Sequence, residues 1–212
     1  MQVKRIWLLT PLFGITLFAV LYAVCTLLYP GGSKAFPAAK GFDWQNNYWC
    51  DLTDAVARNG AENTARPVAL AAMVILCFSL AVFWYHVPTL AANTRDGRII
   101  RYAGILSMLI TLFLFTGLHD VVINVAGSLG IVALALTYNG LYKSGLYVLF
   151  TYGLVCLVAI FANYIIYQTG AGKSYLPVVQ KITFLLFLSW IGVVNIYVYR
   201  RKNSLFAAPT GQ

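Results

Sequence analysis

Residues 6–28 read IWLLTPLFGITLFAVLYAVCTLL, 23 positions without a charged side chain. A helix needs about 20 mainly apolar residues to cross the hydrocarbon of a bilayer, so this stretch is long enough to span one. Lys4 and Arg5 ahead of it look like the start of a secretion signal. The run is longer than a signal's apolar core, however, and no small-x-small site follows it. Val24 stands where a lipoprotein site before Cys25 requires a small residue, so a retained anchor is expected.

The same reading repeats along the chain. Further apolar segments run over Pro67–Val87, Ile100–Leu118, Val121–Tyr138, Leu146–Tyr167 and Tyr175–Tyr199. Pro67 and Pro177 suit first helical turns, where a missing N–H is no loss. Pro88 closes the second segment, and Gly170 and Gly172 interrupt the chain after the fifth. Segments three and four almost touch at Gly117-Leu118-His119-Asp120, where a tight turn is expected. The fold class expected is all-α: a polytopic transmembrane bundle of six spans forming one domain over residues 1–212.

Composition agrees. The chain is 60% apolar and only 10% charged, where a soluble domain carries about 25% charged residues. That excludes an aqueous globular enzyme, a disordered tail and a disulfide-stapled secreted module.

Charge placement orients the bundle. With the N-terminus inside, Lys4, Arg5, Arg95, Arg98, Arg101, Lys143, Arg200, Arg201 and Lys202 fall on inner segments. Lys34, Lys40, Arg58, Arg66, Lys173 and Lys181 fall outside, among Asp43, Asp51, Asp54, Glu62 and Asp120. This bias places both termini in the cytoplasm and the chain in the cell (inner) membrane as a multi-pass protein. The formal net charge of +9 is then a topology signal, and no nucleic-acid partner is expected.

Several motifs resolve to ordinary structure. Cys25, Cys50, Cys77 and Cys156 form no C-x-x-C pair, which argues against a redox motif and a structural zinc site. Cys77 and Cys156 read as packing residues, and whether Cys25 and Cys50 pair is open. Gly170-Ala171-Gly172-Lys173-Ser174 lacks the leading glycine of a phosphate loop, because Tyr167 stands there. His86 reads as an interfacial residue at the inner end of the second span. Asn139 and Asn195 read as interhelical hydrogen-bonding or cap residues, and Gly104, Gly117, Gly127, Gly130 and Gly153 as sites of close helix approach.

The long connection, residues 29–66, is the unusual part. Its aromatic content, including Trp44, Tyr48 and Trp49, argues against disorder. Asp43 is positioned to cap a short amphipathic helix from about Trp44 to Arg58. Such a helix would bring Asn47, Asp51, Asp54 and Arg58 onto one face, with Trp44, Tyr48 and Trp49 as interface anchors. The acidic face either rests in water or lids a polar funnel between the spans. His119 and Asp120 at the next outer turn, and Lys181 inside the last span, point to the same side. Ionisable groups at membrane depth pair, face the protein interior or line a wet cavity. Asn47, Asp51, Asp54, His119, Asp120 and Lys181 are therefore the candidate ligand-binding residues. Ordinary outer-rim hydrogen bonds and ion pairs are the alternative. Such a cluster suits a cation, a lipid phosphate or a water for hydrolysis, so a metal, a cofactor and enzymatic activity are all left open.

Tyr29-Pro30-Gly31-Gly32 followed by Asn47-Tyr48-Trp49-Cys50-Asp51-Leu52 resembles a family of uncharacterised bacterial six-span membrane proteins. Those proteins carry a Tyr-Pro-Gly exit and an Asn-Tyr-x-Ser-Asp-Leu loop, with Cys50 here in place of the serine. The resemblance implies the six-span fold and no particular activity. Asp43-Trp44-x-x-Asn47-Tyr48 with Glu62-Asn63-Thr64 is more distantly similar to the alkaline ceramidase superfamily. That likeness implies seven spans and a zinc site of three histidines, an Asp and a Ser, of which only His119 and Asp120 have counterparts.

Three functions follow as expectations. The first is binding of a membrane lipid or a protein partner, a second copy included, at the outer cluster lidded by the loop. The second is small-molecule or ion transport from the outer face, and the third is metal-dependent lipid hydrolysis within the membrane.

Overall fold

The computed structural model describes residues 6–114 and 118–207. Lys4 and Arg5 of the basic bias, and Gly117 of the expected turn, lie outside the described residues. The described chain is helical, with α1 Thr10–Leu28, α2 Arg66–His86, α3 Thr94–Thr111, α4 His119–Lys143, α5 Tyr147–Thr169 and α6 Leu176–Ala207. Short 3-10 turns at Trp7–Leu9 and Val87–Leu90 extend α1 backwards and α2 forwards.

Among the described residues, five segments are long and apolar enough to cross a membrane: Trp7–Leu28, Arg66–Leu90, His119–Lys143, Tyr147–Thr169 and Lys173–Ser204. The third expected span differs. Its helix starts at Thr94 rather than Ile100, because the Asn93 side chain accepts a hydrogen bond from the Asp96 N–H at 2.8 Å and caps it. The capped helix then includes Arg95, Asp96, Arg98 and Arg101 and ends at Thr111. That charge keeps α3 out of the five. At the other extreme α6 has 32 residues, about 48 Å at 1.5 Å per residue. That outruns a hydrocarbon layer of about 30 Å.

The chain divides into two compact units. One comprises Met1–Ile15, Leu76–Tyr152 and Trp190–Gln212. Lipid tails are as apolar as leucine, so helices in a bilayer associate by close packing and internal hydrogen bonds rather than by hiding from water. Both occur here. Trp84 and Trp190 are its largest fully buried side chains. Gly104 gives the Trp84 ring its place against α3, since a Cβ there would collide with the indole. Gly140 meets the Leu90 carbonyl in the same way, while Gly127 faces open space. Ser107 donates to the Ala126 carbonyl at 2.8 Å, Trp190 Nε1 to Leu149 at 2.9 Å and Asn195 to Leu8 at 2.9 Å. His86, at the end of α2, is buried, with Lys202 Nζ 3.3 Å from its Nδ1.

The other unit comprises Thr16–Ile75 and Gly153–Ser189. Its part of α5 exposes Val155, Val158, Phe161 and Ile165, a surface that hydrocarbon solvates and water does not. Cys156 and Thr183 tie α5 to α6 through the Leu186 and Ala159 carbonyls at 3.3 Å each. Loop 29–66 belongs wholly to this unit.

Candidate functional site

The loop does not form the expected amphipathic helix over 44–58. A turn follows Asp43, a 3-10 helix covers only Trp49–Thr53, and Asp54 is extended. The polar side chains divert the backbone. Asp43 Oδ1 accepts from the Gln45 and Asn46 N–H groups at 2.9 and 3.2 Å, and Asn47 Oδ1 accepts from the Asp43 N–H at 2.9 Å. Short polar side chains that bond nearby backbone compete with helical hydrogen bonds, and here they prevail.

A buried carboxylate organises what forms instead. Asp51 is 1% exposed. Its Oδ2 accepts from Asn47 Nδ2 at 3.0 Å and from the Tyr48 N–H at 2.9 Å, closing a capping box over the 3-10 helix. Oδ1 accepts from Arg58 Nη2 and Nε at 2.7 and 2.9 Å. Both oxygens are thus engaged by charged or backbone donors, which is what burial of a carboxylate requires. Arg58 also reaches Asp54 at 3.0 Å. Burial works against the Arg58 charge, but its bonds to Asp51 outweigh that and hold its pKa above the usual value.

Around this pair the loop is stitched closed. Asn47 Nδ2 also donates to the Gly32 carbonyl at 2.7 Å, joining the exit from α1 to the 3-10 helix. Gly32 has φ +81°, and a Cβ there would strike the backbone of Arg58 and Asn59, so only glycine fits. The Tyr29 hydroxyl accepts from the Arg58 N–H at 3.0 Å, and burial raises its pKa. Asn63 Nδ2 donates to the carbonyls of Asp51, Leu52 and Asp54 at 3.1, 3.2 and 2.8 Å. Asn63 Oδ1 accepts from the Ala65 N–H at 3.1 Å, just ahead of α2.

Two residues of α6 latch the loop. Gln180 Oε1 accepts from the Trp49 N–H at 2.9 Å. Lys181 Nζ donates to the carbonyls of Asn47 and Pro177 and lies 5.5 Å from the Phe42 ring centre. The Trp49 ring packs with Phe18, Tyr22 and Phe184 at centroid separations of 5.9, 4.9 and 5.7 Å. At the rim, Asn46 holds the Asp43 carboxyl below its ordinary pKa. Trp44 and Phe36 stay exposed, at 55% and 59%.

The structure therefore brings together Asn47, Asp51, Asp54 and Lys181 of the sequence-derived set. It places Tyr48 and Trp49 half-buried within the loop and Trp44 at its rim. His119 and Asp120 belong to the other unit, where His119 Nδ1 sits 3.1 Å from Asp120 Oδ1 at the start of α4. Among the described residues no three His, Cys, Asp or Glu side chains group as a metal shell. Cys25 and Cys50 are free thiols. Asn63 and Tyr29 are structural participants that the helical reading did not assign. Asn63 carried a signal, since an Asn shortly before a Pro-led helix suits an N-terminal capping turn. The chain matches no family model, no curated protein and no solved structure.

Proposed function

We propose that this is a multi-pass membrane protein that acts by binding, with loop 29–66 as a rigid outer platform for a membrane lipid or a protein partner. The observation that carries the reading is the contrast within the loop. Its polar groups are spent on one another around Asp51, yet the platform they stiffen displays Phe36 and Trp44. A surface ordered before its ligand arrives loses little entropy on binding, and exposed aromatic side chains are favoured contact groups. The Asn47 bond to Gly32 joins the two motifs that carry the likeness to the six-span bacterial family, which supports a shared loop architecture.

We also take α3 with the residues that follow it as a sixth crossing. Six crossings return both termini to one side, and the basic bias favours the cytoplasm of a cell membrane. Reporter fusions at each terminus test this, and opposite responses would exclude six.

The binding reading is tested by purifying the full chain in mild detergent, as wild type and as a Phe36→Ala/Trp44→Ala double variant. Retained lipids and proteins are identified by mass spectrometry. A specific lipid or protein held by the wild type and lost from the variant supports the platform. Identical profiles overturn it. Lipid turnover abolished by His119→Ala would replace binding with hydrolysis.

A further inference from the structure

Helix α3 presents Arg95, Arg98, Ile99, Tyr102 and Leu106 at intervals of about one turn. With Leu129 of α4 they line an open groove of about 510 Å³. Its two ends differ in chemistry. Arg95 and Arg98 sit on the first turns of the helix and are exposed, and no ion pair among the described residues engages them. The adjacent carboxylate, Asp96, is held by Asn93 Nδ2 at 2.9 Å. Beyond the arginines the wall is apolar from Ile99 to Leu106. Arg98 to Leu106 is eight residues, about 12 Å along a helix.

An open channel with two guanidinium groups at one end and an apolar wall beyond matches an amphiphile with an anionic head and a hydrocarbon tail. We propose that this groove binds one anionic phospholipid, its phosphate against Arg95 and Arg98 and an acyl chain along Ile99, Tyr102, Leu106 and Leu129. Arginine suits phosphate because its planar fork donates two parallel hydrogen bonds. A zwitterionic lipid brings an amine that the same arginines repel. A second copy of the chain, with 15 basic residues against 6 acidic, brings mostly like charge. Tyr102, 69% exposed one turn beyond Arg98, is the amphipathic ring expected at headgroup depth. The site uses none of the loop residues, so it stands or falls separately from the platform.

The test uses the full chain, delipidated in detergent and titrated with phosphatidylglycerol or phosphatidylcholine of identical acyl chains. Binding is read by native mass spectrometry. The expected result is one tightly retained phosphatidylglycerol, weakened about fivefold by Arg95→Gln or Arg98→Gln and roughly thirtyfold by both. Phosphatidylcholine binding stays unchanged in these variants. Leu129→Trp, which fills the groove and leaves the charges, weakens phosphatidylglycerol as well. Equal retention of the two lipids by the wild type overturns the proposal. So does undiminished phosphatidylglycerol binding in the double arginine variant, or retention of inorganic phosphate without preference for the lipid.

Discussion

Arg58 turns back over seven residues to set Nη2 and Nε 2.7 and 2.9 Å from one oxygen of Asp51, whose side chain is fully shielded. The other oxygen of that carboxylate faces Asn47 and the Tyr48 N–H. Removing Asp51 would leave the Tyr48 N–H without its acceptor, Arg58 with only Asp54 and the Asn47 amide with only the Gly32 carbonyl. Breaking a fully buried pair costs on the order of 3 kcal/mol or more, and the solvent that reaches Arg58 lowers the cost here. Asp51→Ala should therefore lower the unfolding temperature in detergent by several degrees and open residues 29–66 to protease. Arg58→Lys, with Asp51 in place, should lose less stability than Asp51→Ala, since a lysine keeps the charge without the fork. Full stability in Asp51→Ala would show that the pair does not hold the loop.

The same logic applies to the latch on α6. Trp49 gives its N–H to Gln180 and packs its ring with Phe18, Tyr22 and Phe184. Truncating a large packed aromatic costs about 3–5 kcal/mol, and the half-burial of Trp49 favours the lower figure. Trp49→Ala should raise proteolysis within the loop while α1 and α6 stay helical by circular dichroism. Trp49→Phe should behave close to wild type. Unchanged loop cleavage in Trp49→Ala would rule out this anchor.

Helix packing makes a contrast among glycines. A Cβ at Gly140 would collide with the Leu90 carbonyl, which is backbone and cannot swing aside. A Cβ at Gly104 would enter the Trp84 ring, buried and equally confined. Gly127 meets nothing within 4 Å, and alanine is the better helix former by about 1 kcal/mol. Gly140→Ala and Gly104→Ala should depress expression of folded protein and thermal stability. Gly127→Ala should be neutral or stabilising. Equal effects at all three positions would contradict the helix contacts described.

Hydrophobic runs were legible in the sequence because their signal is local and summed over some twenty residues. The apolar core of every expected span lies largely within a helix of the structure. The start of α3 was missed because Asn93 caps it seven residues ahead of Ile100, and Gly140 because a glycine does not reveal its neighbour. In the loop, the pattern Asn47, Asp51, Asp54, Arg58 did identify side chains that meet. It assigned the wrong backbone, since the spacing that lines up a helical face also suits a carboxylate gathering donors around a 3-10 turn. What distinguishes the two is Gly32, Tyr29 and the Asn63 Nδ2 group, each distant in sequence from the donor or acceptor it serves in the loop.

Cys50 lies beside the Asp51–Arg58 pair in sequence, and its reactivity reports on it. Burial, followed by the charges of Asp51 and Asp54, pushes its thiol from 9.0 up to about 11. Thiolate, not thiol, attacks electrophiles, so two pKa units leave roughly 100-fold less reactive form near neutral pH. Alkylation of Cys50 by a small neutral maleimide at pH 8, read by mass spectrometry, should lag a model thiol by about that factor. Asp54→Asn should accelerate it by removing one repelling charge. The linkage to stability has a definite sign. The folded state holds its proton more tightly, so this contribution is complete below about pH 9 and is lost as pH climbs through about 11. The phenols of Tyr29 and Tyr48 are also raised by burial and act in the same direction. The share due to Cys50 is the difference in alkaline sensitivity between wild type and Cys50→Ser, with the variant falling less steeply. A thiol alkylated at the model rate at pH 8 would mean that the Asp51 knot does not shield it.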